Sequence, residues 1–169
     1  MTVDQISRLI RTVANFPKPG VNFKDITPVL ENSEAFRALS KHLAEKVNPQ
    51  TDKLVAIESR GFILGAAVAQ HLSCGLVIVR KPGKLPRETI REDYVLEYGS
   101  DSVEIHKDSL KPGDRVTIID DVLATGGTAS AVEKLCEKAG AQVLGSIFMM
   151  SIESLDGKSK LTYPNQSLL

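Results

Sequence analysis

The chain has 169 residues, 42% of them hydrophobic and 25% charged, a composition that suits one ordinary globular domain with one core. Its 21 basic and 21 acidic residues balance, so bulk charge argues against a polycation built for nucleic acid or anionic membrane. Charged recognition must then come from local clusters.

Val3, Ile6, Leu9, Ile10 and Val13 recur at helical spacing behind a Thr2/Gln5 capping box, which predicts an opening helix. Pro17, Pro19 and Gly20 in NFPKPGVNFKDITPVL break that pattern. A second helix is predicted from about Glu34 to Val47, with Phe36, Leu39, Leu43 and Val47 on one face and Asn48-Pro49 as its stop. From Lys53 onward the text becomes strand-like. KLVAIE, GLVIVR and RVTIID are short β-branched runs without clean alternation, as expected for strands covered on both faces. FILGAAVAQHL lies between the first two, small enough for a closely packed crossover helix. ASAVEKLCEKA follows the third and is stopped by Gly140, and QVLGSIFMM makes a fourth strand. The expected class is α/β, with an open, mainly parallel sheet and helices on both faces. DYVLEY and SVEIH fit an antiparallel hairpin around Gly99-Ser100-Asp101, projecting from the sheet edge as a candidate flap.

No apolar run approaches the roughly 18–20 residues that span a bilayer. The N-terminus carries Asp4 in place of a signal-peptide apolar block, so cytoplasm is the expected compartment. Cys74 and Cys136 form no CxxC motif and read as reduced core thiols. His42, His71 and His106 show no metal-ligand spacing.

In an open parallel sheet, ligands bind beyond the carboxyl ends of the strands. ESRGF, RKPGKLPRETIR and DDVLATGGT all fall at such ends. Thr125-Gly126-Gly127-Thr128 lets backbone N–H groups turn inward between hydroxyl donors, with a helix N-terminus behind: an anion site by geometry and dipole. G-x-x-x-x-G-K-[ST] and G-x-G-x-x-G are both absent, which argues against a nucleoside triphosphate or a dinucleotide. Asp120 and Asp121 point to opposite faces of a strand and cannot chelate as one pair. A ligand with a phosphate beside a sugar diol would satisfy both loop and acids; an Asp-rich strand exit before a glycine turn fits the same spacing. Arg80, Lys81, Lys84 and Arg87 fall within eight residues with no acid among them. They read as a solvated basic loop or, at the same rim, as a site for a second polyanion. Ser59-Arg60-Gly61 is a tight turn whose arginine faces either the crevice or solvent, and Glu97 taken alone is an exposed strand carboxylate.

Assembled, these segments resemble the adenine phosphoribosyltransferases of the type I phosphoribosyltransferase fold. FPKPGVNFKDITPVL, ESRGF, RKPGKLPRETI, LEYGSDSVEIHKDSLKPGD and IIDDVLATGGT stand in that family's order and spacing, from about Phe16 to the SIFMMSI strand. The phosphate-loop motif alone marks the superfamily; FPKPG, RKPGKLP and LEYG together point to adenine. The resemblance implies one domain over residues 1–169, with a base-covering segment at about 1–30 and a flap at about 85–108. It implies transfer of the phosphoribosyl group of 5-phosphoribosyl-1-pyrophosphate (PRPP) to adenine, giving AMP and pyrophosphate. It also implies a homodimer, with Mg²⁺ held mainly through PRPP and water. By the same resemblance, Ala124, Thr125, Gly126, Gly127 and Thr128 would hold the 5′-phosphate. Asp120 and Asp121 would hold the ribose hydroxyls, and Ser59, Arg60, Arg80, Lys81 and Lys84 the pyrophosphate. Asn22, Phe23, Lys24 and Leu123 would surround adenine. Glu97 and Arg60 would be catalytic, with Tyr98 beside Glu97 in the flap. The short polar tail, SIESLDGKSKLTYPNQSLL, departs from many family members, although its end resembles the family's terminal strand. Two rivals remain: a hypoxanthine or guanine enzyme using Lys24 on a 6-oxo group, and a non-catalytic PRPP sensor. The sensor would need a DNA-binding module, and the first 50 residues show neither a basic face nor a helix-turn-helix pattern.

Overall fold

The computed structural model describes residues 1–95 and 99–169. The opening helix α1 spans Val3–Ser7, and its capping box forms as expected: Thr2 N–H donates to Gln5 Oε1 (2.8 Å) and Gln5 N–H to Thr2 Oγ1 (3.3 Å). The helix then stops well short of Val13. Arg11–Ala14 is a strand, β1, paired antiparallel with β2, Asn22–Asp25. Turn chemistry overrides the apolar spacing here. Asn15 adopts φ 58° and Gly20 φ 86°, and the Asn15 side chain accepts from Gly20 N–H at 2.9 Å. β-Branched Thr12 and Val13 suit the resulting hairpin better than a helix.

α2 (Thr27–Glu31) leads into α3 (Ser33–Ala44), whose Asn32 cap accepts from Ala35 N–H at 2.9 Å. Ala35, Leu39 and Leu43 are buried. Val47, expected inside this helix, sits in a tightened last turn through its N–H to Ala44 O.

Five strands make the main sheet: β3 (Lys53–Ile57), β4 (Gly75–Val79), β7 (Arg115–Leu123), β8 (Gln142–Ser151) and β9 (Asn165–Ser167), in the order β4-β3-β7-β8-β9. Every neighbouring pair is parallel. Leu54, Ala56 and Ile119 pack on one face with α3 and with α4 (Arg60–Leu72). Val55, Ile57 and Ile118 pack on the other with α5 (Gly127–Lys138). Burial on both faces is the reason these strands show no polar alternation.

The middle hairpin joins β5 (Thr89–Val95) to β6 (Ser100–His106). It begins earlier than expected, and its base does not project freely. Arg80 and Glu104 exchange backbone hydrogen bonds (2.9 and 2.8 Å), tying β6 beside the β4 edge. Val103 and Ile105 join the core beneath it, and Lys138 of α5 forms an ion pair with Glu92. After β8 the tail makes two short 3-10 turns, Glu153–Leu155 and Gly157–Lys160, before β9. No helix among the described residues is long and apolar enough to cross a membrane.

Helix α4 lies unusually close to the sheet at Gly65. A Cβ there would stand 2.8 Å from Ala56 Cβ, 3.1 Å from Leu76 Cδ1 and 3.3 Å from Ile119 Cγ2. Gly65→Val should therefore overpack the β3–β7 row and lower stability by about 1–3 kcal/mol. The measurement is a urea midpoint shift at constant slope, and an unmoved midpoint would contradict this packing.

Candidate active site

At the carboxyl ends of β3 and β7 lies a cleft of about 610 Å³, closed on one side by the β1–β2 hairpin. Fourteen of the residues singled out in the sequence reach it: Asn22, Phe23, Lys24, Ser59, Arg60, Lys81, Asp120, Asp121, Leu123, Ala124, Thr125, Gly126, Gly127 and Thr128. Convergence at one rim, inferred from strand ends, is therefore what the fold produces.

The loop after β7 turns through Gly126 at φ 78° and opens directly into α5. No side chain caps that helix, and its first turn holds no acidic residue. The first N–H groups and the positive end of the helix dipole are thus presented to the cleft without an internal anion.

Asp120 and Asp121 both line the cleft but are used differently. Asp121 is buried, with Oδ2 2.5 Å from Arg60 Nε in an ion pair that lacks hydrogen-bond alignment. The Arg60 guanidinium also lies 4.8 Å from the centre of the Phe23 ring, so it links the β1–β2 hairpin to the end of β7. Asp120 is half-buried, and its Oδ1 accepts from Asp121 N–H at 2.8 Å. Gly61 makes room for it, since a Cβ there would fall 2.8 Å from the same oxygen. Burial, then the neighbouring Asp121 charge, push the Asp120 carboxyl well above the usual carboxylate range.

The turn after β3 holds Ser59 at the start of α4, with the Glu58–Ser59 peptide cis. The sequence treated Glu58 as a strand terminus; in space it organises the basic loop. Its Oε2 accepts from Arg80 Nε (3.0 Å) and Lys81 N–H (2.9 Å), and its Oε1 from Lys84 Nζ (2.6 Å). Burial works to raise this carboxyl, but the three donors outweigh it and hold it below its ordinary value. Arg80 and Lys84 consequently turn onto Glu58 and do not line the cleft, and Arg87 pairs with Asp108 (3.1 Å) at the surface.

Lys81 does reach the cleft. Its ammonium pairs with Asp101 and donates to Tyr94 Oη (2.8 Å), and Tyr94 Oη stands 3.0 Å from Thr128 Oγ1. Desolvation opposes the charge on Lys81, but these partners hold its pKa above normal. Tyr94 and Asp101, like Glu58, carried no signal in the sequence, because each acts across elements far apart in the chain.

Leu123, Phe148 and Ile152 add apolar lining to the cleft, the last two also unanticipated. Lys24 Nζ donates to Thr12 Oγ1 (2.9 Å), so its ammonium is engaged within the hairpin itself. Glu97 and Tyr98 lie outside the described residues. The histidines sit elsewhere: His71 meets Ser40 Oγ at 3.0 Å, and His42 Nε2 meets Met1 O at 3.1 Å. Cys74 and Cys136 are unpaired, and burial pushes the Cys136 thiol up to about 12. No cluster of three metal-type side chains occurs among the described residues.

Comparison with known proteins agrees with this geometry. Residues 28–163 match the phosphoribosyl transferase domain family. The chain is 52% identical over 155 residues to the adenine phosphoribosyltransferase of Desulfitobacterium hafniense, covering 91% of this chain and 90% of that one. It is 50% identical over 172 residues to that of Francisella philomiragia, covering 100% and 98%. Among solved structures, the adenine phosphoribosyltransferase of Rhodothermus marinus superposes with a TM-score of 0.95 at 48% identity, covering 99% of this chain and 97% of that one. The Saccharomyces cerevisiae enzyme, complexed with D-2,5-dideoxy-2,5-imino-altritol 1,6-bisphosphate and adenine, superposes at 0.92 with 39% identity, covering 99% and 98%.

The raised Asp120 carboxyl has a consequence for stability. A carboxyl whose pKa folding raises favours the folded state while protonated, and stability is lost as pH climbs from its ordinary value of 3.8 through the raised one. Asp120→Asn keeps the acceptor for Asp121 N–H and removes the charge. Ligand-free Asp120→Asn should melt with the parent below about pH 4 and above it at neutral pH. Coincident melting curves at both pH values would show that Asp120 carries no such penalty.

Proposed function

The chain belongs to the phosphoribosyltransferase family, among its adenine phosphoribosyltransferases, and from that premise we infer that it transfers the phosphoribosyl group of PRPP to adenine, releasing AMP and pyrophosphate. The observation that carries the reading is a single cleft in which an uncapped helix N-terminus, two carboxylates and a basic turn stand around the space beneath an aromatic hairpin.

Ala124 to Thr128 take the 5′-phosphate on backbone N–H groups and hydroxyls. Asp120 and Asp121 accept from the ribose hydroxyls, with Asp121 kept in place by Arg60. Ser59, Arg60 and Lys81 meet the pyrophosphate, and Arg80 and Lys84 can join them by exchanging Glu58 for the incoming anion. Adenine lies between Phe23 and the Leu123–Ile152 wall, its edge read by backbone groups of Asn22 and Lys24. The bond to Thr12 holds the Lys24 ammonium against the hairpin, so a 6-oxo group would have to draw it away from that partner, which favours adenine over hypoxanthine or guanine.

As the bond from C1 to pyrophosphate breaks, positive charge grows on the ribose and negative charge on the leaving group. Adenine nitrogen forms the new bond to C1 and loses its proton. The basic turn stabilises the departing anion where charge develops most. The hairpin and apolar wall keep water from the cationic carbon. From the flap, Glu97 is the group proposed to handle the purine proton, with Tyr98 beside it; such help contributes about 10²–10⁴ in rate. Mg²⁺ would fit as a guest of the substrate: Asp120 and Asp121 face the cleft but belong to no three-ligand cluster among the described residues, so PRPP oxygens and water would supply most of its ligands. When bound, it neutralises phosphate charge as a Lewis acid. The unpaired thiols accord with a reducing cytoplasm, and exposed Ile63 on α4 and Leu76 on β4 provide apolar surface for a homodimer.

The test mixes protein, Mg²⁺ and PRPP with adenine, hypoxanthine or guanine and identifies the nucleotide. AMP from adenine alone is expected, with no product when Mg²⁺ is chelated. IMP or GMP would overturn the base assignment, and no nucleotide from any base would favour a PRPP sensor. Glu97→Gln should lower turnover at least tenfold while PRPP still binds; near-normal turnover would remove Glu97 from the proton-transfer role.

A further inference from the structure

We propose that Gly157, in the C-terminal tail, is a positioning residue that holds the phosphate loop in its anion-binding form. This rests on the reading of Ala124–Thr128 as the 5′-phosphate loop.

Gly157 is buried within a stretch that is otherwise exposed from Glu153 to Lys160. It touches the loop backbone to backbone. A Cβ on Gly157 would lie 2.2 Å from Ala124 O and 2.9 Å from Gly126 N. The contact is reciprocal: a Cβ on Gly126 would lie 2.3 Å from Gly157 O. No side chain fits at either position without moving one backbone away from the other. Gly126 also needs its left-handed φ, but Gly157 does not adopt a positive φ, so close approach alone accounts for it.

The tail is fastened on either side of this contact. Before it, Ile152 N–H donates to Leu123 O (2.9 Å) at the end of β7. The turn is clipped by Glu153, whose Oε1 accepts from Ser151 Oγ (2.5 Å) and Lys158 Nζ (2.7 Å). After it, buried Glu133 on α5 accepts from Thr162 N–H (2.9 Å) and Tyr163 N–H (3.3 Å). The tail therefore spans from the strand before the loop to the helix after it, with Gly157 pressed against the loop between. An anion site made of backbone N–H groups works only if those groups already point at the ligand before it arrives. A partner bonded to those N–H groups from within the cleft would compete with phosphate, so the support has to come from outside it. Gly157 supplies the support from behind.

Ribose 5-phosphate and pyrophosphate separate the two ends of the cleft in a binding titration. For Gly157→Ala we expect ribose 5-phosphate to bind at least tenfold more weakly, with pyrophosphate within twofold of the parent. The KM for PRPP should rise with kcat changed less than threefold. Glu153→Gln weakens the clip without touching the core, and should cost ribose 5-phosphate about threefold; Ser159→Ala should cost none. A folded Gly157→Ala with parental ribose 5-phosphate affinity, or equal losses for both ligands, would overturn the proposal. If Gly157→Ala does not fold, unchanged affinity in Glu153→Gln overturns it. Failure of the parent to bind ribose 5-phosphate at all would instead refute the loop reading on which the proposal rests.

Discussion

The site depends on backbone donors that must stay unpaired until a ligand arrives. Folding normally satisfies every buried N–H group, and helix starts are usually capped by a side chain. At the end of β7 the chain does neither: Gly126 leads into α5 without a cap, and the first N–H groups face the cleft. Such an arrangement has few bonds of its own to hold its shape, chiefly Ser130 N–H to Gly126 O (2.9 Å) and the contact of Thr128 Oγ1 with Tyr94 Oη. The surrounding structure has to do so, through the β7 ladder on one side, the buried face of α5 on another and the Gly157 contact behind.

Charge in the cleft follows a related rule. Buried or half-buried charges need partners, and the cations of the two turns after β3 and β4 take acids from other segments: Arg60 has Asp121, Arg80 and Lys84 have Glu58, and Lys81 has Asp101. These pairs keep the ligand-free site close to neutral. They also mean that an entering polyanion exchanges one set of charge-assisted bonds for another. Such exchanges are modest in net energy, so binding there can be tight in geometry and still reversible for a leaving pyrophosphate. Asp120 is the exception among the acids of the cleft. Its carboxyl is driven upward by burial first and then by the Asp121 charge beside it, with no cation paired to it closely enough to offset them.

Much of this was legible in the amino-acid order because parallel strands are buried on both faces and because ligand loops gather at their carboxyl ends. KLVAIE, GLVIVR, RVTIID and QVLGSIFMM all became strands of the sheet, and the loops after the first three all reached one rim. The failures share a cause. Leu9, Ile10 and Val13 matched a helical period, but Asn15 and Gly20 closed a hairpin that local apolar spacing could not reveal. The basic run from Arg80 to Arg87 looked unopposed because its acids, Glu58 and Asp101, are supplied from other elements. Gly157 in the polar tail gave no sign of touching Gly126, thirty-one residues earlier, because a close approach of two backbones leaves no pattern in either segment.

Tyr94 shows how the two ends of the cleft are joined. One phenol oxygen meets Lys81 Nζ, Asp101 Oδ2 (3.2 Å) and Thr128 Oγ1, while its ring lies against Gly127, where a Cβ would come within 3.6 Å. The basic loop and the phosphate loop are otherwise on different strands, on either side of β3. The β5–β6 hairpin therefore carries the hydroxyl that ties the basic loop to the loop after β7. A ligand with an anion at one end competes for one of these bonds and leaves the others standing. On the proposed reading, a ligand with phosphate at one end of a ribose and pyrophosphate at the other would compete at Thr128 and at Lys81 together, and so would act on both sides of this hydroxyl at once.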